Sequence, residues 1–216
     1  MPKMMKILGL FLGLIYLSLT PLSAGASDLH TAAKIGDIAT ITTLLDRGAD
    51  IQAINEERSS PLHFAARDCY LEAITILLNR GANINAKDKN GYTPLSVAAY
   101  NGQPEAIITL LDRGADIEAR TKEGETPLHW ATYKGNLDII LALLDRGADI
   151  EARDENGDTP LHIAVQRRQS EAILSLLDRG ADAHAKNNKG KRAIDIANDR
   201  QIEKDKAYQQ LQAASK

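Results

Sequence analysis

Three histidines recur at one position of a repeated pattern and are the side chains best suited to bind a metal. His63, His129 and His162 each follow a Ser/Thr-Pro-Leu triplet, and the last two lie 33 residues apart. A zinc site needs several ligands around one ion, and no cysteine or histidine cluster accompanies these residues. We therefore predict that the histidines bond to neighbouring backbone and join loops to helices, and we expect no metal and no cofactor.

Carboxylates are frequent between the apolar segments, at Glu123, Glu125, Asp154, Glu155 and Asp158. A glycoside hydrolase needs two carboxylates at a set separation across a cleft, and nothing in the sequence marks such a pair. The chain also has no nucleophile elbow, phosphate-binding loop or metalloprotease helix motif. The sequence favours a solvated acidic surface, and we predict no catalytic residues and no enzyme.

Cys69 is the one cysteine of the chain, so it has no partner for an internal disulfide. In an oxidising compartment a lone cysteine is either buried or available for intermolecular coupling. We favour a buried or inert thiol.

These residues stand in a pattern that repeats every 33 residues. Thr126 is suited to cap a helix and Pro127 to begin it. Gly135 is suited to end that first helix, and a second helix follows with Ile140, Leu143 and Leu144 on one face. Such a fixed period indicates stacked helix pairs that share one continuous core. The Thr-Pro-Leu-His element recurs as Ser60-Pro61-Leu62-His63, Thr93-Pro94-Leu95-Ser96 and Thr159-Pro160-Leu161-His162.

The pattern resembles the ankyrin repeat. The matching residues are Gly124 to Ala131, then Gly135, then Leu143-Leu144 and Gly147-Ala148-Asp149, and the resemblance spans about residues 28 to 198. It implies an all-α solenoid of stacked helix-turn-helix units, with β-hairpin-like loops, here called fingers, projecting to one side. It also implies a binding function without chemistry.

Residues 1–26 lie outside the array and have the three parts of a secretory signal peptide. Lys3 and Lys6 precede an apolar run, and Ala24-Gly25-Ala26 suits a cleavage site. An uncleaved membrane anchor is the alternative, because Ile7 to Ser27 carries no charge. With cleavage, we expect a periplasmic or secreted protein that has no membrane contact.

The remaining residues, 27–216, form one predicted ankyrin domain. The first repeat lacks a finger, and we expect Ser27 or Asp28 to cap its first helix. At the other end, a polar helix from Ile202 to Leu211 is predicted to shield the stack from water. The expected repeats are 27–54, 55–87, 88–120, 121–153, 154–186 and 187–216.

Three positions depart from the repeat where a glycine is expected. Arg58 replaces the finger glycine found at the same position of later repeats, and Cys69 and Arg168 replace the glycine between the two helices. A left-handed backbone costs a non-glycine residue about 1 kcal/mol. Two outcomes are therefore open at these positions: a distorted turn, or a left-handed backbone that the rest of the stack enforces.

In the ankyrin family, partner contacts come from the finger tips and from the exposed end of the first helix. Carried onto this chain, these positions form one concave face. Trp130 is as well explained by packing, because Phe64, Val97 and Ile163 occupy equivalent positions. We expect the acidic members to lie at the rim and to steer association. The predicted partner-binding residues are Tyr92, Tyr100, Asn101, Glu123, Glu125, Trp130, Tyr133, Lys134, Asp158 and Arg167.

The formal net charge of −3 does not indicate nucleic-acid binding. We expect a monomeric, exported adaptor that binds an unidentified protein partner through its concave face. Two alternatives stay open. The first is an immunity-type inhibitor that blocks a toxin. The second is an accessory protein to a periplasmic oxidative-stress enzyme, for which the sequence offers no identifiable haem or small-molecule pocket.

Overall fold

The computed structural model describes residues 25–199 and 206–216, which form helices joined by turns and contain no strand. This architecture confirms the predicted all-α stack of paired helices. The helices are α1 (Gly25–Ile35), α2 (Ile38–Asp46), α3 (Pro61–Arg67), α4 (Leu71–Asn79), α5 (Pro94–Asn101), α6 (Pro104–Asp112), α7 (Pro127–Lys134), α8 (Leu137–Asp145), α9 (Pro160–Gln166), α10 (Ser170–Asp178), α11 (Ala193–Asp199) and α12 (Lys206–Ala214).

Each first helix of a complete repeat begins where the sequence predicts. In α7, Pro127 is the first helical residue, and Thr126 and His129 form a reciprocal capping box. The helix ends at Gly135, whose φ of 69° places it in the left-handed region. The capping Ser or Thr and the proline at the first helical position recur in α3, α5 and α9, so they fix where the first helices of the complete repeats begin.

The helices form two layers that run the length of the stack. First helices contact first helices (α1, α3, α5, α7, α9, α11), and second helices contact second helices (α2, α4, α6, α8, α10, α12). The predicted apolar face of the second helices is confirmed with one refinement: Ile140 and Leu143 are fully buried, whereas Leu144 is half-buried. One repeat alone leaves this face exposed, so the core exists only between neighbours.

The fingers are hydrogen-bonded turns. One finger lies at each boundary between consecutive repeats, which we call a joint. In the third repeat the N–H of Asp88 donates to the carbonyl of Tyr92 at 2.9 Å. Adjacent fingers are also joined, as when Lys122 N–H donates to the Asn90 carbonyl at 2.9 Å. Gly91 suits this close approach, because a Cβ atom would lie 3.0 Å from the nitrogen of Lys122. The turns occupy residues 55–59, 88–92, 121–125, 154–158 and 187–191.

The two ends of the array differ from the sequence prediction in detail. Helix α1 is already formed at Gly25, so Ser27 and Asp28 lie within the helix and not at its start, where they were predicted. The predicted signal segment lies outside the described residues except for Gly25 and Ala26. At the other end, α12 buries Tyr208 and Leu211, while 202–205 of the predicted helix lie outside the described residues. None of the described helices is long and apolar enough to cross a membrane.

Of the two outcomes left open at the three substituted glycine positions, the structure shows the left-handed backbone. The φ angles are 60° at Arg58, 58° at Cys69 and 57° at Arg168. The equivalent glycines lie in the same region, with Gly91 at 86° and Gly102 at 74°. The repeat geometry therefore imposes these conformations, whether or not the residue suits them.

Candidate protein-binding face

The recurring histidines bond to backbone, as predicted from the sequence. His129 Nδ1 accepts the N–H of Thr126 at 3.2 Å, which leaves the ring proton on Nε2. From there His129 donates to the carbonyl of Asp158 in the next finger at 3.2 Å. His63 and His162 make the same bonds to Tyr92 and Lys191, each at 3.0 Å. Both ring nitrogens are thereby occupied in holding the stack together.

Burial lowers the pKa of His63 and of His129 below the ordinary histidine value. A protonated ring has no acceptor for the N–H of the capping residue. Neutral histidine is therefore the form that this joint requires.

Four of the predicted partner-binding residues are brought together as one aromatic cluster: Tyr92, Tyr100, Trp130 and Tyr133. The Trp130 ring centroid lies 5.2 Å from Tyr92, 5.4 Å from Tyr100 and 5.6 Å from Tyr133. Such separations fall in the favourable range for aromatic pairs. Tyr92 and Tyr100 belong to the third repeat, whereas Trp130 and Tyr133 belong to the fourth. The cluster therefore spans one joint of the stack.

Two further predicted residues extend this cluster by placing cations on its rings. The Lys134 Nζ atom lies 4.6 Å from the ring centroid of Tyr100, and the Arg167 guanidinium carbon lies 4.0 Å from that of Tyr133. Both geometries suit a cation–π contact. Fingers and first helices thus share one surface, which we call the finger–helix face.

Trp130 both packs the stack and leaves a polar group unused. Its ring is half-buried against the core, which agrees with a framework role. Among the described residues, however, its indole nitrogen is buried without a hydrogen-bond partner. Tyr100 is the most accessible ring of the cluster, with 39% of its surface exposed. The rings of Tyr92, Tyr100 and Tyr133 therefore all pack against Trp130.

A cavity of about 180 Å³ opens between the rings of Tyr92 and Tyr100. Asp88, Val97 and Asn101 complete its lining, so the predicted residue Asn101 lies at the same place. The Asn101 side chain is held by a 2.8 Å bond from Nδ2 to the Val97 carbonyl. The sequence interpretation missed Asp88 and Val97, although each occupies a position equivalent to residues that it considered.

The acidic residues Glu123 and Glu125 lie beside the aromatic cluster. Burial raises the pKa of Glu125, with further contributions from Glu123, Asp154 and Glu155, and a hydrogen bond from Thr121 opposes the rise. Burial, then Glu125 and Glu123, also raise the pKa of Tyr92. Glu123 is exposed, whereas Glu125 is half-buried. Only Glu123 therefore matches the predicted rim position fully.

The prediction that Asp158 lies at an exposed rim is wrong. Its side chain is buried, with 6% of its surface exposed. The carboxylate accepts hydrogen bonds from Gln166 Nε2 at 2.6 Å and from Asn187 Nδ2 at 2.7 Å. Asn187 comes from the next finger, 29 residues further along the chain. These two amide donors hold the carboxylate inside the joint between the fifth and sixth repeats.

The finger–helix face also contains a polar cavity that the sequence did not indicate. Its volume is about 380 Å³, and Asp158 and Gln166 form one wall. Lys191 and Asp199, which form an ion pair, line another part of it. The face therefore changes from aromatic in its centre to polar and charged towards the C-terminus.

Cys69 lies half-buried at the turn between α3 and α4. Burial raises the pKa of its thiol, and the S–H donates to Glu105 Oε2 over 3.9 Å. Both features favour the protonated, unreactive form. This agrees with the prediction of an inert thiol.

Comparison with known proteins identifies the family. The protein-family model described as ankyrin repeats (3 copies) matches residues 29–121 and 118–187. No curated protein matches the chain. The matched residues include α1 to α10 except for the first residues of α1, and they contain the whole aromatic cluster. The stacked helix pairs, the histidine bonds between repeats and this match together show that the chain belongs to the ankyrin repeat family.

Proposed function

We propose that this chain is an exported ankyrin repeat protein that binds a protein partner through the aromatic cluster of its finger–helix face, without catalysing a reaction. Ankyrin repeats imply protein partners. We choose this surface because four aromatic rings contact one another across one joint. They belong to Tyr92, Tyr100, Trp130 and Tyr133. The partner contacts known for the ankyrin family, at finger tips and first helices, support the choice of this side.

The chemistry of the cluster suits recognition. Tyrosine and tryptophan bury a large area while losing few rotatable bonds, and they dominate the energetics of many protein interfaces. Lys134 and Arg167 already cover one side of the tyrosine rings, which reduces the conformational entropy lost when a partner binds. A partner that covers Tyr100 and Tyr133 therefore gains apolar contact on a prearranged surface.

The test compares alanine variants against a captured partner. The exported fraction of the source cell is passed over immobilised protein, and the retained partner is titrated against purified variants. We expect Tyr100→Ala and Tyr133→Ala each to weaken binding by about 2 kcal/mol, which is roughly thirtyfold in Kd. Each variant must first show a melt close to that of the parent.

Ile108→Ala provides the matched control, because Ile108 lies on α6 with 40% of its surface exposed, close to the 39% of Tyr100. This control should bind like the parent. Equal binding by all three folded variants would refute the choice of surface.

Export remains part of the proposal and rests on the first 26 residues. Amino-terminal sequencing of the protein from the periplasm or culture medium should begin at or near Ser27. Intact Met1 on a membrane-bound form would support the anchor instead. No feature of residues 25–199 and 206–216 favours an accessory role beside an oxidative-stress enzyme.

A second candidate, an inhibitor of a basic enzyme, is favoured by the acidic fingers. Glu123, Glu125, Asp154 and Glu155 form no ion pair among the described residues. Burial, and then the charges of the other three, raise the pKa of Glu125. Such a field speeds association with a positively charged partner. Glu123→Gln should slow association at low salt and leave dissociation nearly unchanged. A partner with an acidic surface, or an association rate indifferent to salt, would exclude this candidate.

A further inference from the structure

A third cavity lies at the central fingers, and its lining is mostly cationic. Its volume is about 340 Å³, and we call it the basic finger pocket. Five of its eight lining residues are basic and one is acidic. The lining residues are Arg58, Lys87, Asp88, Lys89, Gly91, Arg120, Thr121 and Lys122. In a chain of net charge −3, this is a local excess of positive charge.

Some of these charges have structural partners. Lys87 Nζ donates to the Arg120 carbonyl at 3.0 Å, and Arg120 Nη1 donates to the Arg153 carbonyl at 2.6 Å. Both bonds hold a cation in place without neutralising it. Lys89 pairs with Glu57, and Asp88 Oδ1 accepts two main-chain N–H groups of its own turn.

Arg58 and Lys122 differ from the other cations of the pocket. Their main-chain N–H groups are bonded, but neither side chain has a hydrogen bond or ion pair to another described residue, and both side chains are exposed. The basic finger pocket therefore has two available cations beside two that are fixed in position.

Comparison between the repeats shows that this charge is local and is not a property of every finger. Lys87 and Arg120 belong to a row of basic residues that continues with Arg153 and Lys186. Lys89 and Lys122 belong to no such row, because the equivalent residues of the other fingers are not basic. These residues are Glu56, Glu155 and Asn188.

Arg58 departs from the repeat most clearly. It replaces a glycine that the other four fingers retain, and it does so at a φ of 60°. A side chain there strains the backbone, and such strain is concentrated at functional sites. Arg58, Lys89 and Lys122 are thus three cations that this pocket has and the equivalent positions of the other fingers lack.

We propose that the basic finger pocket binds a polyvalent oxyanion that carries phosphate or sulfate groups. Arginine presents a planar fork of donors to such oxygens, and lysine adds point charges. Arg120 and Lys87, held by backbone carbonyls, provide a prearranged floor, while Arg58 and Lys122 are available to close over the ligand. The pocket shares Asp88 with the cavity beside Tyr92 and Tyr100, but none of its cations belongs to the aromatic cluster. This site therefore goes beyond the proposed function, and variants of its cations test it independently.

The test uses inorganic pyrophosphate and calorimetric titration at constant ionic strength. We expect one site in the parent, and about tenfold weaker binding in Arg58→Gly and in Lys122→Gln, because each loses one charge-assisted contact. Arg58→Gly restores the residue of the other fingers, so we also expect its Tm in the absence of ligand to rise by about 2–4 °C. A loss of binding in a more stable protein is not explained by unfolding.

Arg168→Gly is the matched control. It replaces the same residue type at the same left-handed conformation, with φ of 57°, in the turn between α9 and α10. It should bind pyrophosphate like the parent. Equal affinity in Arg58→Gly, Lys122→Gln and the parent, or no binding by the parent beyond that of chloride, would overturn the proposal.

A second experiment distinguishes the two sources of phosphate chemistry. The parent and Arg58→Gly are mixed with vesicles of phosphatidylglycerol or phosphatidylcholine and separated by flotation. If the parent floats with phosphatidylglycerol vesicles but not with phosphatidylcholine vesicles, and Arg58→Gly floats with neither, the ligand is a lipid headgroup. Pyrophosphate binding without flotation assigns a soluble phosphate or sulfate ester.

Discussion

The joint between the third and fourth repeats differs from the other joints of the stack. At those joints a first-helix histidine contacts a carbonyl of the next finger through Nε2, as in His30 to Ser59 at 2.9 Å. At the central joint Ser96 occupies the histidine position, and its hydroxyl contacts Thr93 Oγ1 at 3.1 Å. The aromatic cluster crosses this same joint.

The joint between the third and fourth repeats is therefore stabilised by aromatic packing and not by a histidine hydrogen bond. Where the histidine is absent, the rings of Tyr92 and Tyr100 pack on Trp130 across the boundary. Histidine bonds are internal and leave nothing for a partner, whereas a half-exposed cluster of rings stabilises the joint and still presents surface. The residues proposed for binding therefore also contribute to the stack, and variants of Trp130 report on both.

The largest expected effect tests whether the two kinds of joint share one core. Leu110 and Leu143 are fully buried at equivalent positions of α6 and α8. Leu110→Ala and Leu143→Ala should each lower the free energy of unfolding by about 2–5 kcal/mol. Urea melts measure both values. A Leu110→Ala effect below about 1 kcal/mol would mean that the central joint is poorly packed, and the comparison would fail.

The next effect tests the histidine directly. His129→Ser copies the Thr93–Ser96 arrangement at a joint that lacks the aromatic cluster. We expect a loss of about 1–3 kcal/mol, because the Asp158 carbonyl loses its donor and the capping residue loses its acceptor. The reverse variant, Ser96→His, should gain stability by donating to the Glu125 carbonyl. No loss in His129→Ser would show that the histidine bonds contribute nothing net.

The smallest effect concerns pH and follows from the lowered pKa of His63 and His129. Above pH about 6.5 both residues are neutral in the folded and unfolded chains, so they add no pH dependence. As the pH falls below that value, the unfolded chain binds protons that the folded chain does not, and stability falls. The loss is at most about 1.4 kcal/mol per histidine for each pH unit, until the folded-state pKa is reached.

Melts at pH 7.5, 6.5 and 5.5 measure this slope. Burial raises the pKa of Glu118, Glu125 and Glu151, and these groups act in the opposite direction as the pH falls further. Comparison of the parent with His129→Ser removes their contribution. The variant should have the shallower slope between pH 6.5 and 5.5. Identical slopes would contradict the assignment of a neutral His129.

Much of the fold could be predicted because its signals are local or repeat at one spacing. Pro127 after a capping threonine places the start of α7, and Gly135 its end. The glycines at equivalent positions mark where the left-handed turns at Arg58, Cys69 and Arg168 lie, although the sequence left a distorted turn open there. Even the histidine bonds follow, since a contact to the next repeat recurs whenever the motif does.

The sequence alone determined the periodic framework, because each helix start, turn and apolar face repeats the same chemistry 33 residues later. It also singled out the aromatic residues of the two central repeats. Only the tertiary structure decided which side chains meet across a joint. Tyr92 reaches Trp130, while the equivalent finger residue Asp158 turns inward to Asn187 and Gln166. These outcomes depend on the residues that the neighbouring repeat supplies as packing surface or as hydrogen-bond donors. The period specifies where such neighbours lie, and the three-dimensional arrangement specifies what each side chain does there.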